Sequence, residues 1–209
     1  MALIFFGEDF LFWNGGIDLA INSRWHLQSV IEVAIISIFL GGFFVFSDWL
    51  YTLVYGLVTP LGLAPFVGDA LFGLWCMGGS LAFMVVRLPG AALISEIVGA
   101  LLESMFGGTF GIVALFAGFF QGIGTELGFA AFKYKKFNFA SLTLAAALST
   151  IVTFTSALFI HGYIHFQLGL LLGLFITRLV SNLIFSVGVV TLVYKLFNRT
   201  GLSTDRIIK

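Results

Sequence analysis

Forty-one consecutive residues, from 137 to 177, carry no Asp, Glu, Lys or Arg side chain. A helix that crosses the hydrocarbon core of a membrane needs about 20 apolar residues, so this interval is too long for one span and fits two. The triplet His161-Gly162-Tyr163 separates the two halves. The whole chain has the same character, because it is 60% hydrophobic and only 10% charged, whereas soluble domains are about a quarter charged. The sequence therefore predicts an integral membrane protein.

Apolar runs bounded by charged residues, Pro or Gly predict six spanning helices. They cover residues 27–46, 66–86, 91–106, 109–132, 139–160 and 166–194. Six spans use most of the chain and leave no room for a separate catalytic domain. The expected fold is an all-α integral membrane protein, a bundle of six transmembrane helices. Pro60 and Pro65 disfavour a continuous helix through residues 48–65, which are predicted to form a structured loop.

The chain divides into three predicted parts. Residues 1–24 form an N-terminal extension, for which an interfacial helix is the expectation. Residues 25–199 form the six-helix membrane domain, and residues 200–209 form a cytoplasmic tail. Lys and Arg collect at Arg24, at Arg87, between spans four and five, and after span six, whereas the opposite loops contain none. Cytoplasmic loops hold the excess of Lys and Arg, so both termini are predicted to be cytoplasmic.

Several classes of function are disfavoured. A formal net charge of zero argues against a nucleic-acid partner. The single cysteine, Cys76, excludes an internal disulfide. The sequence contains no glycine-lysine phosphate loop, no HExxH pair and no GxSxG turn, so no ATP hydrolysis by this chain, no metal site, no cofactor and no catalytic residue is predicted.

Polar side chains inside the predicted spans mark the candidate site, because a charge costs about 2.5 to 3.5 kcal/mol at the centre of a membrane-spanning helix and normally faces the protein interior. These residues are Trp75, Glu96, Glu103, Gln121, Glu126, Arg178 and Asn182. They predict either a buried pocket for a polar or cationic small molecule or a set of interhelical contacts. Arg178 is predicted to form a structural charge pair with Glu96 or Glu126. Glu103 then lacks a partner and, near Trp75, suits a cation.

Two further groups of residues have candidate roles. Trp49, Tyr51 and Tyr55 lie in the predicted loop and are expected to gate the site from above, with anchoring at the membrane interface as the alternative. Ala34, Ser37 and Gly41 are small residues on the first span. Rows of small residues let helices approach closely, so this face is the expected docking surface for a partner protein.

The residues also resemble a known family. The segment Gly73-Leu74-Trp75, residues 87–96 (RLPGAALISE), residues 100–103 (ALLE), residues 121–126 (QGIGTE) and residues 177–181 (TRLVS) are similar to those of the YkoE-type S components of energy-coupling-factor (ECF) vitamin transporters. The similarity extends from about residue 27 to residue 195. Residues 1–24 have no counterpart in it.

The resemblance implies a substrate-capture subunit in the cell membrane, expected to be a bacterial plasma membrane. It implies binding of thiamin or its hydroxymethylpyrimidine precursor from outside, and delivery inward with a transmembrane coupling subunit and two ATPase subunits. Trp75 would stack on the ligand and Glu103 would receive its cation. Gln121 with one further glutamate would bind the aminopyrimidine, and Glu96, Glu126 and Asn182 would lie in or around the site.

Three alternatives remain at this stage. The chain could be an S component for another small vitamin. It could be a secondary transporter that works alone with Arg178 as a charge carrier, although no internal repeat or proline in the middle of a span supports this. It could be an intramembrane enzyme with Glu96 and Glu126 as paired acids or metal ligands, but no histidine lies at their depth.

Overall fold

The computed structural model describes residues 25–199, and every regular element in that range is helical. The elements are α1 (Leu27–Val58), α2 (Ala64–Val86), α3 (Ala91–Met105), α4 (Val113–Ala131), α5 (Phe139–Ile160), α6 (Leu168–Asn182) and α7 (Val190–Arg199). A π-helical segment, Leu183–Val189, joins α6 to α7 without a break. Short 3-10 turns occupy Thr59–Leu61 and Tyr163–His165. The predicted N-terminal extension and C-terminal tail lie outside the described residues.

The prediction of an all-helical membrane fold is confirmed. Within residues 25–199, five helical stretches are long and apolar enough to cross a membrane, namely Leu27–Leu61, Ala64–Val86, Val113–Ala131, Phe139–Ile160 and Leu168–Leu196. The predicted third span is also a helix, but α3 has only 15 residues. At 1.5 Å per residue it is about 22 Å long, which is shorter than the roughly 30 Å hydrocarbon core.

The first helix is longer than the sequence predicts. The prediction of a loop from residue 48 is wrong, because α1 continues through Asp48 and ends at Val58. The two prolines account for the actual break. Pro60 lies in the first turn of a 3-10 helix and Pro65 in the first turn of α2, where the missing N–H would have no helical partner in any case. The connection therefore shrinks to residues 59–63.

Glycines set the closest contacts between helices. Gly124 and Gly128 lie against the backbone of α5, and a Cβ atom at either position would overlap Ser149 or Ala145. Gly118 and Gly122 do the same on the opposite side of α4, toward α3. These small-residue pairs are internal packing contacts that allow the helices to approach closely.

The predicted docking surface on α1 is also largely internal. Ser37 is fully buried, and a Cβ atom at Gly41 would collide with Leu102 of α3. Gly41 thus packs against α3, and Ser37 is buried within the bundle, so Ala34 is the one residue of this predicted surface that is exposed.

Two ends of the bundle differ in composition. Arg87, in the turn between α2 and α3, donates a hydrogen bond to the Tyr194 hydroxyl and lies over the ring of Phe137. Glu126 accepts hydrogen bonds from the backbone N–H groups of Gly90 and Leu93, at 2.5 and 3.3 Å. These contacts bring the positively charged connections of the chain together at one end. The connections at residues 59–63, 106–112 and 161–167 lie at the other end, which we call the uncharged end.

The tight contact between α4 and α5 yields a stability prediction. Replacing Gly124 with Ala should lower the free energy of unfolding by roughly 1 to 3 kcal/mol, because the new methyl group overlaps backbone atoms that cannot move aside cheaply. Thermal unfolding of the detergent-purified chain measures the loss. Gly42→Ala on α1 is the matched control, since a Cβ atom there meets nothing within 4 Å. Equal melting temperatures for the two variants would contradict this account of the packing.

Candidate functional site

A cavity of about 280 Å³ lies among the helices toward the uncharged end. Its volume is close to the lower limit of about 300 Å³ for small-molecule pockets. Side chains from α1 to α6 line it, together with residues of the connections 106–112 and 161–167. One face of α2 contributes Gly68, Phe72 and Trp75, which are spaced by four and three residues and therefore point the same way.

Two carboxyl groups lie at one end of the cavity, where Glu103 lines it and Asp48 is fully buried beside Trp75. Asp48 accepts hydrogen bonds from the Trp75 indole at 3.2 Å and from the Thr109 backbone N–H at 2.7 Å. Glu103 lines the cavity, and its side chain lies beside Asp48, since both would meet a Cβ atom placed on Gly108. The Oε1 oxygen of Glu103 is buried and has no hydrogen-bond partner among the described residues. We call Asp48, Glu103 and Trp75 the acidic end.

The hydrogen-bond pattern favours a negative charge on Asp48. Both of its oxygens accept bonds from N–H donors, and such bonds stabilise the ionised form of a carboxyl group. Two neighbouring carboxyl groups disfavour each other's ionisation, because like charges repel. No Lys or Arg side chain is paired with the acidic end among residues 25–199.

Aromatic rings surround the acidic end. Tyr51, Trp75 and Phe110 form a cluster with ring centroids 5.2 to 6.4 Å apart, and Trp75 meets the other two rings edge to face. Such rings bind cations through their faces. Tyr55 contacts the ring of Tyr51, with centroids 5.6 Å apart. Trp49 points away, with 73% of its surface exposed. All three predicted gating residues lie on helix α1, and Tyr51 is the one that lines the cavity.

An ion pair forms a second polar end. Arg178 of α6 donates from Nε to Asp69 of α2 at 2.5 Å. Its guanidinium lies over the rings of Phe72 and Phe154, at 4.8 and 5.3 Å from their centroids. The Tyr163 hydroxyl donates to the second oxygen of Asp69 at 3.4 Å. Arg178 lines the cavity. We call Arg178, Asp69 and Tyr163 the guanidinium end.

This ion pair corrects one expectation. Arg178 does form a charge pair, but its partner is Asp69 and neither Glu96 nor Glu126. Glu96 is fully buried behind the cavity and accepts a hydrogen bond from the Gly79 N–H at 2.5 Å. Glu126 binds backbone N–H groups at the charged end of the bundle.

The structure places Asn182 away from the cavity as well. Its amide donates to the Ala146 carbonyl and to Thr150, at 2.9 and 3.1 Å, and its oxygen accepts from Ser186. Gln121, by contrast, lines the cavity, and the hydrogen bond that it accepts from Ser149 goes to its backbone carbonyl, so its side-chain amide makes none to another described residue. Of the six residues predicted to bind substrate, the structure brings Trp75, Glu103 and Gln121 to the cavity.

Asp48 and Asp69 are site residues that the sequence patterns do not single out. Asp48 lies where an apolar run stops, a position typical of the end of a span. Asp69 lies six residues before Trp75 on the apolar helix α2. Each is an acid within a spanning helix and meets the criterion that selected Glu96 and Glu103. The signal that identifies both residues is the position of an acidic side chain inside an apolar helix.

Comparisons with known proteins agree with one another. Residues 28–152 match a protein-family model described as "ABC-type cobalt transport system, permease component". The putative HMP/thiamine permease protein YkoE of Bacillus subtilis (strain 168) is 30% identical over 158 residues, which are 76% of this chain and 77% of YkoE. A crystal structure described as an S-component of ECF transporter superposes with a TM-score of 0.79 and 28% identity. That superposition covers 85% of this chain and 88% of the other. These relatives are transport subunits rather than enzymes.

Proposed function

The chain belongs to the YkoE-type S components of ECF transporters, and from this premise we propose that it captures thiamin, with the hydroxymethylpyrimidine precursor as a weaker ligand. The observation that carries the proposal is the acidic end. It places Glu103 and a tryptophan ring in the wall of a small cavity with the Asp48 carboxyl group directly behind the ring, and we assign one negative charge to this end, held by Asp48. Thiamin has a permanently charged thiazolium ring, which this combination suits.

Charge favours thiamin over its precursor. The Asp69–Arg178 pair is neutral as a unit, and the acidic end adds one negative charge. The groups around the cavity therefore have one net negative charge. A monocation neutralises this charge, and the attraction is stronger beside buried groups than in bulk water. Hydroxymethylpyrimidine is neutral and leaves the charge uncompensated. It is therefore the second candidate, supported by the name of the relative.

The remaining polar groups suit the aminopyrimidine ring. Gln121 presents an unused amide to the cavity, with both a donor and acceptors. Glu103 Oε1 is buried without a partner among the described residues, and such an oxygen gains free energy when a ligand N–H group reaches it. An amino group beside a ring nitrogen offers a matching donor and acceptor. We assign Gln121 and Glu103 Oε1 to this ring.

Membership of the ECF transporters implies work with coupling and ATPase subunits, as S components do in general. We propose one coupling subunit and two ATPases. We also propose that both termini lie in the cytoplasm of a bacterial cell and that the uncharged end faces outward. The distribution of Lys and Arg supports this orientation.

Replacing the two carboxyl groups separately should reveal which one carries the charge. Asp48→Asn should weaken thiamin binding by at least tenfold, about 1.4 kcal/mol, because it removes the surplus charge. Glu103→Gln should change the affinity by less than about threefold, since glutamine keeps a donor for Asp48 and an acceptor for the ligand. Calorimetric titration of the detergent-purified chain measures both.

The matched control is Glu32→Gln, which removes a carboxylate of α1 that lies outside the cavity and should leave the affinity unchanged. If Glu103→Gln proved the more damaging substitution, the assignment of the charge to Asp48 would be wrong. If the wild-type chain, shown to be folded, bound neither thiamin nor hydroxymethylpyrimidine, the proposed function itself would fail.

The orientation has a direct test, because the native cysteine is fully buried. A membrane-impermeant maleimide added to intact cells should label Leu61→Cys, at an exposed position of the uncharged end. It should label Lys135→Cys, in the connection after α4, only after the membrane is permeabilised. Labelling with the opposite pattern would place the termini outside.

A further inference from the structure

The guanidinium end offers donors that the protein itself does not use. Arg178 binds Asp69 through Nε. Its Nη groups make no hydrogen bond to any residue in the range 25–199 that the structure describes, although Arg178 lines the cavity. The rings of Phe72 and Phe154 lie against the guanidinium. A ligand can therefore meet these N–H groups best along the edge of the guanidinium.

This end donates hydrogen bonds without a net positive charge. Asp69 is fully buried and neutralises Arg178. The neutral form of His161 is favoured, since burial and the nearby Arg178 lower the pKa of its imidazole by more than Asp69 raises it. Tyr163 also stays neutral, because burial and the neighbouring Asp69 raise its pKa to about 12. A ligand group that binds here gains hydrogen bonds. If the group is an anion, however, no uncompensated positive charge is present to neutralise it.

The whole cavity disfavours anions for the same reason. The acidic end carries one negative charge in the proposed function, and the guanidinium end carries none in total. A phosphate group would lose its hydration and meet the fields of Asp48 and Asp69 with only one guanidinium to balance them. A hydroxyl group needs no such balance and can accept a hydrogen bond from an Nη donor.

Building on the proposed function, we propose that the guanidinium end binds the neutral hydroxyl group of the ligand and rejects its phosphate esters. The chain is thus selective for the free vitamin. Arg178 is the residue that recognises the hydroxyl group, and Asp69 is the residue that sets the selectivity, because it removes the positive charge that a phosphate would require.

The first test uses the wild-type chain and three ligands: thiamin, thiamin monophosphate, and a thiamin analogue with an ethyl group in place of the hydroxyethyl group. Calorimetric titration should show the monophosphate binding at least tenfold more weakly than thiamin. The analogue without the hydroxyl group should also bind roughly tenfold more weakly, since it leaves the Arg178 donors unpaired. This comparison needs no variant and so does not depend on how a substitution affects folding.

The second test changes the charge of the guanidinium end. Asp69→Asn keeps an acceptor for Arg178 but leaves its positive charge uncompensated, so the ratio of thiamin affinity to monophosphate affinity should fall by at least fivefold. Glu32→Gln removes a negative charge outside the cavity and should leave the ratio unchanged. A role of Asp69 in folding alone would affect both ligands equally and would not change the ratio.

Three results would overturn the inference while leaving thiamin capture intact. They are equal or tighter binding of the monophosphate by the wild-type chain, no loss of affinity for the analogue that lacks the hydroxyl group, and an unchanged ratio in an Asp69→Asn chain that still binds thiamin. If the wild-type chain bound none of the three ligands, the proposed function would fail and this inference would fail with it.

Discussion

Asp48 is a carboxylate inside a membrane-spanning helix, and its hydrogen bonds organise the uncharged end of the bundle. A charge at that position must be satisfied by the protein, because no water is available in the hydrocarbon to do so. The bonds from Trp75 and Thr109 satisfy it. They also join α1 to α2 and to the connection that leads into α4. The hydrogen bonds that compensate a charge on α1 thus also position the Trp75 ring at the cavity.

The closest contact between α4 and α5 and the cavity lie at different ends of these helices. Gly124 and Gly128 bring α4 against the α5 backbone on the charged side of the bundle. Toward the uncharged end, the same two helices line the cavity, with Phe120 and Thr153 among the lining residues. The pair of Asp69 and Arg178 connects α2 to α6 beside it. Asp48 with its N–H donors at one end, and the Asp69–Arg178 ion pair at the other, form the two polar ends of the cavity.

The sequence predicted the parts that depend on local patterns. Helix α5 has the predicted bounds, 139–160, because an uncharged run is preceded by Asn138, whose side chain caps the helix with Ser141. Trp75, Glu103 and Gln121 were found since polar groups in apolar helices face the interior. The sequence could not show which side chains of different helices contact one another. The partner of Arg178 and the burial of Ser37 and Gly41 depend on which helices are neighbours and how they are rotated, and no spacing along one helix contains that information.

The central claim is that the cavity recognises a positive charge through the acidic end. The most direct test compares thiamin with an analogue in which carbon replaces the charged ring nitrogen, since the two ligands have nearly the same shape and differ by one charge. Calorimetric titration of the wild-type chain should show the neutral analogue binding at least tenfold more weakly, a difference of about 1.4 kcal/mol. Equal affinity for the two ligands would contradict the claim, because the negative charge held by Asp48 would then have no part in recognition.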